Sequence, residues 1–194
     1  MSSLLLQPTP TAQWQALLHE AQTAARCRLE TDLESYLVFL LIRFTDRPEL
    51  ADAVLALEFL NSVTTPGRLG QDRLRDVGDQ CLLYSGLFPR QAERRHVQLS
   101  YFVDMGRTAY QQLSDTTEHD ADGLYAHLAQ GFVSLMDVLH MVRELGTGHS
   151  ALDPLMAAES WSESGSEYAL RALRQVTDAT LMMSVSDTRS RSHH

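Results

Sequence analysis

Two short spacings hold the most suggestive chemistry in the chain. Glu93-x-x-His96 and Asp137-x-x-His140 each set a carboxylate and an imidazole three residues apart. On a helix, that separation puts both side chains on one face, so each pair offers an oxygen and a nitrogen ligand to the same cation. Two such pairs, completed by carboxylates from two other helices, make a di-metal centre. Glu34 supplies one such carboxylate, on a nearly all-apolar segment, and no second lone Glu sits where the arrangement requires it. A hydrogen-bonded core histidine is the simpler role for His96.

These ingredients resemble those of the ferritin-like proteins, which implies an oxidoreductase centre built from Glu34, Glu93, His96, Asp137 and His140. The order departs from that family, which places a lone Glu helix between its two Glu-x-x-His helices; here the two pairs fall on consecutive helices. A second resemblance rests on Leu17-Leu18-His19-Glu20 and on Tyr101-Phe102-Val103-Asp104-Met105-Gly106. These are similar to the proximal and distal helices of the haem oxygenase-like family and imply haem ligation by His19. Gly106 is followed by Arg107 and Thr108 instead of a second glycine, and a surface histidine beside Glu20 is the plainer reading. The block from Val77 to Pro89, together with Tyr101 to Tyr110, resembles uncharacterised helical proteins of proteobacteria. That resemblance implies a bacterial cytosolic origin and no activity.

Charge patterning suggests a surface role. Asp72, Asp76 and Asp79 recur at i, i+4, i+7, with Arg68 and Arg75 placed to pair with Asp72 and Asp79. This predicts a solvated, ion-paired face, or a docking surface for an arginine-rich partner. Arg90, Arg94 and Arg95 form a basic run near the start of a helix, where the dipole makes positive charge mildly unfavourable and a pairing partner welcome. Arg94, Arg95, Asp72, Asp76 and Asp79 are therefore the candidate partner-binding residues.

Composition excludes whole classes of chemistry. All 16 basic residues are Arg and none is Lys, which removes the P-loop lysine, the pyridoxal Schiff base and the kinase lysine together. The net charge of −9 opposes a phosphate backbone, so nucleic acid is not the expected partner. Gly-x-Ser-x-Gly is missing from the sequence, and with it the nucleophile elbow. Cys27 and Cys81 fit no metal or redox pattern and read as reduced thiols of a cytoplasmic protein. The sequence shows no signal-peptide pattern and no apolar run long enough to span a bilayer, so neither export nor a membrane is expected.

The elements that must position these residues read as helices throughout. The first is expected from about Thr11 to Glu30. The second carries Leu33, Tyr36, Leu37, Leu40, Leu41 and Phe44, with Val38, Phe39 and Ile42 extending the apolar surface; it reads as the central, largely buried helix. A third follows Asp46 and Pro48, with Leu50, Ala53, Val54, Leu57 and Leu60 inward. A fourth carries Leu74, Val77, Cys81 and Tyr84. The fifth, from Pro89 through Leu99, Val103, Gly106, Tyr110 and Leu113, keeps the heptad interval. So does the sixth, with Leu124, Leu128, Gly131, Leu135, Val138, Val142 and Leu145. Joined by the polar loop Ser114 to Asp120, they predict a central antiparallel hairpin, with Gly106 and Gly131 at the close approach. Gly146-Thr147-Gly148 ends the sixth helix, Asp153-Pro154 starts a short one, and a last helix follows a Ser/Glu/Gly-rich loop around Trp161 to Ser166.

The expectation is an all-α, single-domain bundle of about seven helices. An N-terminal arm occupies residues 1–10, the bundle 11–183, and a disordered polar tail 184–194. The closing Arg-Ser-His-His reads as a truncated histidine tag, so His193 and His194 are set aside as ligands. Tyr36, Phe102 and Phe132 are expected to pack the core rather than line a ligand cavity. No complete catalytic constellation assembles. The expected function is that of a non-catalytic regulatory or adaptor protein without a cofactor, binding a protein partner or a second copy of itself.

Overall fold

The computed structural model describes residues 9–46, 65, 67–90, 97–117 and 123–190, excluding the side chains of 46 and 179–190. The chain is all-α: eight helices and no strand occur among the described residues. They are α1 (Pro10–Ala25), α2 (Thr31–Asp46), α3 (Arg68–Gly86), α4 (Leu99–Thr116), α5 (Leu124–Gln130), α6 (Phe132–Thr147), α7 (Pro154–Ser164) and α8 (Glu167–Ser190). The expected third helix, from Asp46 to Leu60, lies outside the described residues. Among the described residues, no helix is long and apolar enough to cross a membrane.

Helix ends follow local chemistry. The Thr9 hydroxyl accepts the Ala12 N–H at 3.2 Å, and Pro10 occupies the first turn, where its missing N–H costs nothing. α1 stops short of Glu30 because Arg26 adopts a left-handed conformation (φ 49°) and turns its N–H back to Gln22 and Thr23 carbonyls. Gly148, left-handed at φ 70°, closes α6, and the Asp153 carboxylate accepts the N–H groups of Leu155 and Met156 at 3.0 and 2.9 Å ahead of Pro154. The Trp161 to Ser164 part of the expected loop is helical, and α8 runs to Ser190, past the boundary expected at Ser184.

The centre of the bundle is α3 rather than α2. Every residue from Val77 to Gly86 is buried, whereas Phe39 on α2 is 65% exposed. Glycines explain the difference. A Cβ on Gly78 would lie 2.6 Å from the Tyr110 ring, and one on Gly86 would lie 2.5 Å from Leu139, so α4 and α6 both approach the α3 backbone closely. α3 and α4 run antiparallel, shown by the pairing of Tyr84 with Phe102, Cys81 with Gly106, Gly78 with Tyr110 and Gln71 with Thr116. α6 lies along α3 in the same direction, from Phe132 near Gly106 and Cys81 to Arg143 at the Leu87 carbonyl.

The expected central hairpin takes another form. Gly131 interrupts the second heptad run and serves as the C-cap of α5 and the N-cap of α6. The short α5, not α6, lies closely against α4, and the helix most closely packed on α4 is α3. Gly106 does mark a close approach, but to the Phe132 ring and the Cys81 Cβ, while Gly131 meets Leu33. A methyl group at Gly106 would stand 2.5 Å from Phe132 and 2.8 Å from Cys81. Gly106→Ala is therefore expected to destabilise the protein by about 1–3 kcal/mol through overpacking, read as a lower urea midpoint with an unchanged m-value.

Candidate functional site

The acidic residues of α3 divide between surface and interior. Asp72 and Asp76 face solvent, and Arg75 lies 3.7 and 3.9 Å from them. Asp79 departs from the solvated-face expectation, with its side chain only 2% exposed. The Tyr36 and Tyr110 hydroxyls both donate to its Oδ1, at 2.5 and 2.7 Å, and the Arg43 guanidinium binds Oδ2. Arg43 also reaches Asp76 at 3.3 Å. Burial pushes the Asp79 carboxyl above the usual carboxylate range, with Arg43 and the two phenols opposing the shift. A carboxylate so enclosed ties α2, α3 and α4 together and presents nothing to a partner. Arg94 and Arg95 lie outside the described residues.

The expected metal ligands are not brought together among the described residues, and Glu93 and His96 lie outside them. Glu34 accepts the Gln22 amide at 3.1 Å. Asp137 on α6 holds the start of α8: its Oδ1 accepts the Ser166 hydroxyl at 2.5 Å and its Oδ2 the Tyr168 N–H at 3.2 Å. Ser166 in turn accepts the Ala169 N–H at 3.0 Å, so a carboxylate sits at the positive end of a helix dipole. Burial still raises the Asp137 pKa.

His140 is fully buried against the Tyr168 ring at 4.9 Å. Burial lowers its pKa to about 4, so the ring is neutral near pH 7 and its Nε2–H donates to the Ser85 carbonyl at 2.8 Å. Among the described residues its Nδ1 has no hydrogen-bond partner. The Tyr168 hydroxyl donates to Glu144 at 2.5 Å and accepts the Ala151 N–H at 2.8 Å. Asp137, His140 and Tyr168 together join α3, α6, the loop before α7, and α8.

His19 is exposed on α1 and lines a polar cleft of about 540 Å³ with Gln22, Cys27, Glu30 and Glu34. The Gly106 segment expected to face it across a haem is packed shut by Phe132 and Cys81. Cys81 is wholly buried, and burial pushes its thiol pKa upward, as suits a small hydrophobe.

A different group does converge. Glu30, in the loop after α1, Asp32, in the first turn of α2, and His127, on α5, each place one ligand atom within 4.8 Å of the other two. His127 Nδ1 lies 2.7 Å from Asp32 Oδ2 and 3.8 Å from Glu30 Oε2. The hydrogen bond with His127 lowers the Asp32 pKa. The loop is fixed from beneath by the buried side chain of Gln22, whose Oε1 accepts the Leu29 N–H at 2.8 Å while its Nε2 donates to Glu34. Sequence reasoning missed this cluster because His127 stands 95 positions from Asp32 and no local spacing announces the meeting.

No family model, curated protein or solved structure matches the chain.

Proposed function

We propose that this is a non-catalytic regulatory or adaptor protein of the bacterial cytoplasm, acting through the outer surface of α2 and α3 on a partner that presents arginine. The observation that carries this reading is the mixed face of α3. Leu69, 56% exposed, shares an i, i+3, i+7 row with Asp72 and Asp76. Arg43, one turn beyond the exposed Phe39 on α2, reaches Asp76 and brings the two helix faces side by side. Apolar side chains beside unburied carboxylates suit a partner helix that carries both apolar and guanidinium groups. The buried ionisable groups support the same reading from the other side. Asp79, Asp137 and the His140 Nε2–H each bind neighbouring helices, so these groups serve the fold. Arg94 and Arg95 belong to the proposal on their sequence pattern alone.

Asp72→Arg combined with Phe39→Ser tests the reading and leaves Asp76 to hold Arg43. Both side chains are exposed, so stability should change by no more than about 0.5 kcal/mol at each site. The variant should lose the protein that co-purifies with the wild-type chain from its native cell. Retention of that partner at wild-type yield would refute the surface assignment. Sedimentation of the purified chain identifies a second copy as the partner if the same substitutions abolish self-association.

A further inference from the structure

We propose that Glu30, Asp32 and His127 bind one divalent transition-metal ion of the zinc type, independently of the partner surface on α2 and α3. Two carboxylate oxygens and one imidazole nitrogen form a mixed donor set that suits Zn²⁺ and its first-row neighbours better than the all-oxygen shells of Ca²⁺. The ligand atoms already stand close to the spacing an ion needs. Bonds of ~2.1 Å set neighbouring ligands about 3 to 3.4 Å apart, and here His127 Nδ1 lies 2.7 and 3.8 Å from the two carboxylates.

The segments that carry the ligands are held by contacts that do not involve the ion. Gln22 fixes the loop ahead of Glu30, the Leu33 N–H donates to the other oxygen of Asp32 at 2.9 Å, and the His127 carbonyl accepts the Gly131 N–H at 2.7 Å. Among the described residues, no arginine forms an ion pair with Glu30 or Asp32, so two negative groups face a single imidazole. The cluster opens onto a cleft of about 270 Å³ completed by Arg28, Leu33, Gln130 and Ser134, which leaves room for water in the remaining coordination positions. Binding displaces the Nδ1 proton to solvent and puts the ion in its place between the imidazole and the carboxylates. The ion then ties the α1–α2 loop to α5.

The test is calorimetric titration of the full chain with ZnCl₂, in parallel with His127→Ala, Asp32→Asn and the control His149→Ala, an exposed histidine elsewhere. The expected result is one saturable site, weakened about tenfold or more by His127→Ala and by Asp32→Asn and unaffected by His149→Ala. Saturating Zn²⁺ should raise the Tm of the wild-type chain and of His149→Ala only. Zn²⁺ held by His193 and His194 would appear equally in all four proteins, and four identical isotherms would overturn the proposal. Should a variant fold poorly, the wild-type chain alone decides. Substoichiometric Co²⁺ should broaden the His127 ring resonances before those of the other histidines, and uniform broadening refutes the site.

Discussion

Asp79→Ala is expected to lower the melting temperature by about 10 °C, the largest effect of any single substitution on the surface-to-core boundary of α3. The substitution leaves the Tyr36 and Tyr110 hydroxyls without their acceptor. Each lost hydrogen bond to this charged acceptor costs about 1.5–3 kcal/mol. Arg43 keeps Asp76 at 3.3 Å, so the guanidinium is not stranded, and the total stays near 4 kcal/mol rather than adding the full penalty of an unpaired charge. For a chain of this length, 1 kcal/mol shifts Tm by about 2–4 °C. Asp79→Asn retains an acceptor for the phenols and should lose less than half as much. Equal losses in the two variants would show that charge, not hydrogen-bond acceptance, is what the site requires. Circular dichroism melts of the two proteins at pH 7 separate these outcomes.

Acid should destabilise the protein through His140. The folded ring has a pKa of about 4 against an ordinary 6.5, so as the pH falls the unfolded chain takes up this proton first. Stability from His140 is therefore complete above pH 6.5 and is lost progressively down to pH 4, to a total of about 3 kcal/mol. Asp79 and Asp137 act in the opposite sense. Their raised pKa values mean that the folded protein takes up protons first as pH falls, so acid relieves a cost there. Comparison with His140→Phe isolates the histidine. Against that variant, wild-type stability from urea unfolding should fall by about 3 kcal/mol between pH 6.5 and 4, and parallel curves would contradict the assignment.

The legible part of the fold is the part decided within a few residues. Asp153 before Pro154 and Gly148 after Thr147 set helix ends through backbone chemistry that depends on immediate neighbours, and the structure places both as expected. Periodicity likewise announced an all-helical chain. Illegible were the features set by distant partners. Asp72, Asp76 and Asp79 share one spacing with nearby arginines, yet Asp79 turns inward because its phenol partners come from 43 and 31 residues away. The apolar breadth of α2 suggested a central helix, but Gly78 and Gly86 decide the matter by admitting Tyr110 and Leu139 to α3. Gly131 fitted the heptad as a small contact residue and instead divides two helices. Asp137-x-x-His140 has the spacing of a metal pair. In the fold, the carboxylate holds the first turn of α8 and the imidazole donates to the C-terminal turn of α3.

That last contrast supports the proposal of a surface function, because Asp137 and His140 both serve to hold helices together. Nitrogen-15 NMR of the His140 ring tests it directly. A neutral ring protonated on Nε2, unchanged from pH 7 down to about pH 5 and indifferent to added Fe²⁺ or Mn²⁺, is the predicted result. A ring that titrates like a free imidazole, or whose Nδ1 signal moves on addition of metal, would contradict it.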